Sequence, residues 1–318
     1  MPLIISLRRK SPALHCNLAL YCLLAISAAG PAPAQSALGA VIANTGSLHA
    51  VAFGDFGRRG RPYQREVAAA IAKENGGNAF QLGLTLGDNF YECGVRSVHD
   101  PAWRDLWEAF YTPLKFPFYA TLGNHDYGHG DGRCVASRTD TQAEVDYTGH
   151  SESWHMPARY YTFLAGPVQF FALDTELWSE AQKQWLAERL SAPPPAGITW
   201  RVVYGHHPIF TSGIHHADPY VKRLQRDLLP LLKDRAVDLY LAGHDHDLEH
   251  LRADGVELFV AGGGGEDVRS VNHRDPHSLA AASKHGFLDL TASPKTIEVR
   301  LVDIRLQPIE SQPWVKTR

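Results

Sequence analysis

Five apolar runs in this chain each end in a glycine followed at once by Asp, Asn or His. They are Phe53-Gly54-Asp55, Leu86-Gly87-Asp88, Leu122-Gly123-Asn124-His125, Tyr204-Gly205-His206 and Ala242-Gly243-His244. A buried strand that stops at a glycine turn holds the next side chains at its carboxyl end. A single such cluster is ordinarily a satisfied structural group. Five in one chain read as one site assembled from five strand ends, and Asp, Asn and His without cysteine suit hard or borderline metals. Asp88 is the natural bridge between two ions, since each carboxylate oxygen can take one. Two metals roughly 3.5 to 4 Å apart polarise a phosphoryl group and bring the pKa of bound water from about 15.7 towards 7, which is the logic of phosphate-ester hydrolysis. Tyr91, just beyond Asp88, adds a phenol whose ordinary pKa is about 10. It ligates as phenolate only to a strong Lewis acid, so trivalent iron fits better than zinc alone.

The order of elements supports an α/β chain. Strand Leu48 to Phe53, a helix from Pro62 to about Asn75 closed by Gly76-Gly77, strand Phe80 to Leu86, a helix from Pro101 to about Tyr111, and strand Phe118 to Leu122 predict a mostly parallel sheet. The polar run Gly128 to Ser153 reads as a surface insertion. A hairpin of Arg159 to Leu164 with Val168 to Asp174 follows, then a helix capped by Ser179 and running through Leu190. Strand Trp200 to Tyr204, a helix from Pro219 to Lys233 and strand Val237 to Ala242 continue the alternation. The remaining strands are Leu248 to Arg252, Val256 to Val260, Phe287 to Thr291 and Thr296 to Val302. Two α/β halves packing sheet on sheet, with ligands from both at one edge, are expected over a catalytic domain of residues 48–304. A linker (35–47) precedes it and a tail (305–318) follows.

The N-terminus is different in kind. Arg8, Arg9 and Lys10 precede an apolar run from Leu18 to Ala28, and Ala32-Pro33-Ala34 is a small-x-small cleavage pattern, so residues 1–34 read as a secretory signal peptide cut after Ala34. The apolar run is too short to span a bilayer, and no stable membrane anchor is expected. Removal takes three positive charges from a net of −3, leaving −6. No basic patch suggests nucleic acid or an anionic membrane, and a monomer acting on small phosphorylated substrates is expected. Cys93 and Cys134 remain in an oxidising compartment, secreted or periplasmic. A disulfide between them is expected because each follows a proposed ligand turn, with two free thiols as the alternative.

The ordered set Gly54-Asp55-x-Gly57, Gly87-Asp88-Asn89-Phe90-Tyr91, Gly123-Asn124-His125-Asp126, Val203-x-x-His206 and Gly243-His244-x-His246 resembles the five motif blocks of the purple acid phosphatases within the metallophosphoesterase superfamily. It is most like their small tartrate-resistant type, over about Leu48 to Val302. The resemblance implies a four-layer α/β/β/α sandwich of two mixed sheets flanked by helices, the calcineurin-like fold. It implies a secreted acid phosphatase that hydrolyses phosphate monoesters with metal-bound hydroxide as nucleophile. Fe(III) would be held by Asp55, Tyr91 and His246, with Asp88 bridging to a divalent ion, Fe(II), Zn(II) or Mn(II), held also by Asn124, His206 and His244. His125 matches the family's substrate-facing histidine, which binds phosphate and protonates the leaving group. His215 matches a second outer-sphere histidine, although His216 is an equally close neighbour.

Two departures stand out. His207 replaces the tyrosine usual in the mammalian type, which would make the divalent-ion pocket more polar. Leu173-Asp174-Thr175 also runs almost directly into the next helix, where the mammalian type carries a long protease-sensitive loop, so no proteolytic activation is expected. Asp126 and Asp174 are expected to orient neighbours, Gly262 to Gly265 to permit a tight turn, and His99, His129, His150, His155, His250, His273 and His277 to lie on the surface. A phosphodiesterase or nucleotidase on the same metals, or a metal- and phosphate-binding redox protein with little turnover, are the alternative functions.

Overall fold

The computed structural model describes residues 46–318 other than 78, 130–133 and 135–138. The expected signal peptide and the linker up to residue 45 lie outside the described residues. Among those described, strands form two mixed sheets of seven. The first follows the order β14-β13-β12-β1-β2-β3-β4 and the second β11-β9-β10-β8-β7-β6-β5. In chain order β1 is Leu48–Phe53, β2 Leu82–Leu86, β3 Phe118–Thr121, β4 Trp154–His155, β5 Tyr161–Ala165, β6 Val168–Ala172 and β7 Trp200–Tyr204. Then come β8 Leu239–Ala242, β9 Leu248–Ala253, β10 Val256–Ala261, β11 Ser278–Ala282, β12 Gly286–Ala292, β13 Thr296–Asp303 and β14 Trp314–Thr317. The strands that carry the glycine turns are parallel neighbours, β1-β2-β3 in one sheet and β7-β8 in the other. Their carboxyl ends therefore point the same way within each sheet.

Side-chain alternation explains the layering. Along β6, β7 and β8, Phe170, Val202, Leu239 and Leu241 face the first sheet, where they join Val51, Phe53, Leu84 and Phe118 in one core. Their chain neighbours Phe171, Val203 and Tyr240 face the other way and pack with Trp185, Leu186, Leu224 and Leu232. Both faces of these strands are buried, which is why they read as continuous apolar runs rather than alternating ones. Trp185, Leu186 and Leu190 belong to α3 (Glu180–Ser191), whose N-cap Ser179 accepts from the backbone of Gln182 as expected. On the first sheet α1 (Tyr63–Gly77) buries Val67, Ala68 and Ile71. The result is the expected four-layer sandwich. No helix among the described residues is long and apolar enough to cross a membrane.

Several local expectations are corrected. The helix expected from Pro101 is a short π-helical segment, Trp103–Glu108, continued by a 3₁₀ turn at Thr112–Leu114. The helix expected from Pro219 to Lys233 breaks into α4 (Pro219–Asp227) and α5 (Leu229–Asp234), because Pro230 has no N–H to give the preceding turn. The region taken as a surface insertion contains α2 (Thr141–Asp146), with Thr141, Ala143 and Glu144 buried. The segment set aside as a tail supplies β14, and Lys316 and Arg318 reach across to the buried Asp238 at 2.7 Å each.

His250 is not a surface residue. It is buried on β9, stacked on Phe259 at 4.3 Å, with Nε2 3.0 Å from Glu257 and Nδ1 3.1 Å from Glu310. Burial opposes its charge, but its hydrogen bonds to the carboxylates of Glu257 and Glu310 outweigh that and raise its pKa. A raised histidine pKa stabilises the fold below the unfolded value of about 6.5, and that contribution is lost as pH rises through the folded value. His250→Gln should therefore cost about 1 kcal/mol more at pH 6 than at pH 9, the difference between a charge-assisted and a neutral hydrogen bond. Thermal melts of both proteins across that range check it; an equal loss at both pH values would show that His250 is neutral.

Candidate metal centre

Each polar cluster begins where a parallel strand ends. Asp55 follows β1, Asp88 follows β2, Asn124 and His125 follow β3, His206 follows β7, and His244 and His246 follow β8. The turns require unusual backbone. Asp55, Asp88 and His244 have φ of +60°, +52° and +72°, in the left-handed region that residues other than glycine rarely enter. Gly123 admits no side chain, since a Cβ there would sit 2.2 Å from Asp88 Oδ1. These turns close on one another through the backbone. Asp55 N donates to Gly87 O at 3.0 Å and Gly243 N to His206 O at 2.9 Å, while His244 N donates to Asp55 Oδ2 at 2.9 Å across the two sheets.

The side chains then meet in two overlapping groups. Tyr91 Oη lies 3.2 Å from Asp55 Oδ1, 3.0 Å from Asp88 Oδ2 and 3.3 Å from His246 Nε2. His206 Nε2 lies 3.0 Å from Asn124 Oδ1, 3.1 Å from His244 Nδ1 and 3.4 Å from Asp88 Oδ2. Asp88 is thus common to both groups. Main-chain carbonyls fix the tautomers: His206 Nδ1 is 2.8 Å from Leu86 O and His246 Nδ1 is 2.9 Å from Asp267 O. A carbonyl only accepts, so a proton sits on each Nδ1, and in the neutral ring that a cation would require each Nε2 presents its lone pair inward. The neutral side chains therefore aim lone pairs at carboxylate and amide oxygens with few protons between them. That is the donor set of a cation site, and the residues fit two ions.

Electrostatics agree. Asp55 is raised by burial, and although burial opposes its charge, His206 is lifted to about 10 by Asp88 beside it. Left to the side chains alone, the site draws positive charge onto an imidazole. Tyr91 is held as a neutral phenol, first by burial and then by Asp88 and Asp55.

The other expected residues are also placed. His125 packs on Tyr91 with ring centres 4.2 Å apart, gives Nδ1–H to Glu92 O at 2.7 Å, and points Nε2 to within 3.9 Å of Asp88 Oδ2. His215 lies against His244 at 4.1 Å, whereas His216 stacks on His273 at 4.1 Å. His207 is buried, with Nδ1 3.0 Å from Thr175 Oγ1, and its Nε2 faces Glu176 at 3.4 Å. Asp126 accepts from the backbone N–H groups of Gly123, Asn89 and Phe90, at 2.8, 2.9 and 3.1 Å, and so orients the turns. Asp174 accepts from Tyr127 Oη at 2.5 Å. Cys93 and Cys134 form the expected disulfide, with Cα atoms 5.4 Å apart.

Three groups were not foreseen. Glu144, on α2, accepts from Asn89 Nδ2 at 3.0 Å behind Asp88. Asp218 accepts from His215 Nδ1 at 2.7 Å and lies 3.5 Å from His244 Nε2. Arg269 reaches His215 Nε2 at 2.6 Å. Asp218 is local to His215, whereas Glu144 and Arg269 are far in sequence from Asn89 and His215, and only the closing of the sandwich brings them there.

A two-sheet sandwich with Asp, Asn and His gathered at strand ends defines a metallophosphoesterase, and the calcineurin-like phosphoesterase family matches residues 48–248. Purple acid phosphatase 7 of Arabidopsis thaliana is 30% identical over 272 residues, 77% of this chain and 79% of that protein. Tartrate-resistant acid phosphatase type 5 of Mus musculus is 27% identical over 304 residues, 82% and 88% of the two chains. The chain belongs to the purple acid phosphatases of the calcineurin-like phosphoesterase family. Among solved structures, a purple acid phosphatase from yellow lupin seeds superposes with a TM-score of 0.67 at 18% identity, covering 86% of this chain and 54% of that one. GAP50, described as the anchor in the inner membrane complex of Plasmodium, gives 0.70 at 22% identity over 85% and 88%. Both likenesses concern the fold, so function is argued from the site.

Proposed function

We propose that the protein is an exported acid phosphatase that hydrolyses small phosphate monoesters at a mixed Fe(III) and divalent-metal centre. The observation that carries this is the convergence of lone pairs from both sheets around Asp88, with Tyr91 inside the same cluster. Asp55, Tyr91, His246 and Asp88 would hold iron, and Asp88, Asn124, His206 and His244 the divalent ion. When bound, such a pair of ions neutralises phosphate charge and activates water at low pH. The remaining work falls to the chain. Leu86 O and Asp267 O keep His206 and His246 in ligating tautomers, and Asp126 fixes the turns. His125, with Nδ1–H fixed on Glu92 O, presents Nε2 as the atom that can carry a proton to the departing oxygen.

The phenol gives the reading its own signature. Burial beside two carboxylates opposes loss of the Tyr91 proton, so only a strongly polarising cation would take it as phenolate. The purified protein should carry two metals per chain, show a visible absorption band and hydrolyse phosphate monoesters faster than diesters. Tyr91→Phe should remove the band. A colourless, iron-free and fully active protein would establish a two-metal phosphoesterase in which Tyr91 is only structural.

A further inference from the structure

Arg269 lies just beyond the glycine turn at residues 262–265, half-buried, with its backbone N–H donating to His246 O at 3.0 Å. Among the described residues, the one hydrogen bond of its side chain is made by Nη1 to His215 Nε2, and no carboxylate stands within ion-pair distance of it. Its neighbours differ. Arg58 is held by Glu92 and Glu266, and Arg61 by Asp267 at 2.7 Å. A guanidinium that keeps four further N–H donors and no acid, beside the turns proposed to hold the metals, is suited to an oxyanion that offers two oxygens side by side, as a phosphoryl group does. Its backbone is bonded to His246 and its side chain to His215, which packs on His244, so the arginine stands beside turns proposed to hold both ions.

The seat of this arginine matters as much as its charge. His215 gives Nδ1–H to Asp218, and because a carboxylate only accepts, that proton is fixed. Nε2 then accepts from Arg269, so His215 in this arrangement has no proton to offer a phosphate from that atom. The N–H donors left at this seat are those of the guanidinium. Asp218, which also lies 3.5 Å from His244 Nε2, ties this seat to a ligand of the divalent ion.

We propose that Arg269 is a substrate-binding residue whose guanidinium, seated on His215, holds non-bridging oxygens of the phosphoryl group. The inference rests on the phosphatase reading above. Binding of a phosphate dianion by Arg269 would use charge-assisted hydrogen bonds of the fork, which lysine reproduces only in part.

The test uses the metal-loaded enzyme and inorganic phosphate as probe, measured by titration calorimetry and as a competitive inhibitor, with metal content recorded for each variant. Arg269→Ala should weaken phosphate binding and raise KM by roughly 10- to 100-fold with two metals retained, and Arg269→Lys should recover part of the loss. A double-mutant cycle with His215→Ala separates binding from positioning. If Arg269 touches phosphate, Arg269→Ala still weakens phosphate in the His215→Ala background. Phosphate binding unchanged in Arg269→Ala, or an effect that vanishes without His215, would overturn the proposal. Wild-type enzyme that binds phosphate but cleaves no ester would instead sink the phosphatase reading, leaving the Arg269 measurement intact.

Discussion

Asp88→Asn should weaken metal binding by more than about 100-fold and lower phosphate-ester turnover by at least as much. The carboxylate has no substitute where it stands. Oδ1 accepts from the backbone N–H of His125 at 2.8 Å, while Oδ2 lies 3.0 Å from Tyr91 Oη and 3.4 Å from His206 Nε2. An asparagine keeps one oxygen. If that oxygen stays with His125, the amide presents two hydrogens to the shared position and leaves both groups of ligands without their common anion. If it turns inward, the amide hydrogens meet the N–H of His125. Metal analysis after dialysis, followed by activity on a phosphomonoester, reads both effects. Two bound metals with activity within about tenfold of wild type would show that Asp88 is not the bridge.

His125→Ala carries the second large effect, a fall of roughly 100- to 10,000-fold in kcat with both metals retained. The loss should depend on the leaving group. Nitrophenolate departs without a proton, whereas a simple alkoxide needs one, so an alkyl phosphate should suffer far more than p-nitrophenyl phosphate. The geometry motivates this contrast, because Glu92 O fixes Nδ1–H and leaves Nε2 free to serve as the proton carrier. Equal losses on both substrates would mean that His125 binds phosphate without delivering a proton.

The turns were legible because they are local. An apolar run, a glycine and a polar residue lie next to one another, and the structure brings Asp55, Asp88, Tyr91, Asn124, His206, His244 and His246 together at two neighbouring sheet edges. His215 and His216 could not be separated in sequence, since nothing in their spacing says which one packs on His244. Glu144 looked like one acid in a polar run. It is buried because Asn89 donates to its carboxyl and Trp154 to its backbone carbonyl, both from other segments. His250 failed for a similar reason: its burial depends on Glu310, 60 residues away. Partners supplied from a distance decide where a charged group can be buried, and periodicity carries no record of them.

The left-handed backbone at Asp55, Asp88 and His244 sets local preference against the proposed function at three candidate ligand positions. Glycine would occupy each of these conformations without strain, whereas a side chain there costs of order 1 kcal/mol or more. At His244 a screen for heat resistance alone in a metal-chelating buffer would thus favour glycine, whereas at Asp55 and Asp88 the relieved strain is offset by orphaning the buried N–H groups of His244 and His125. At all three the exchange loses a group proposed to hold the ions. Consensus or stability-guided engineering of this enzyme should exempt those three residues, because the misfit is what carries their side chains to the point where the two sheets meet.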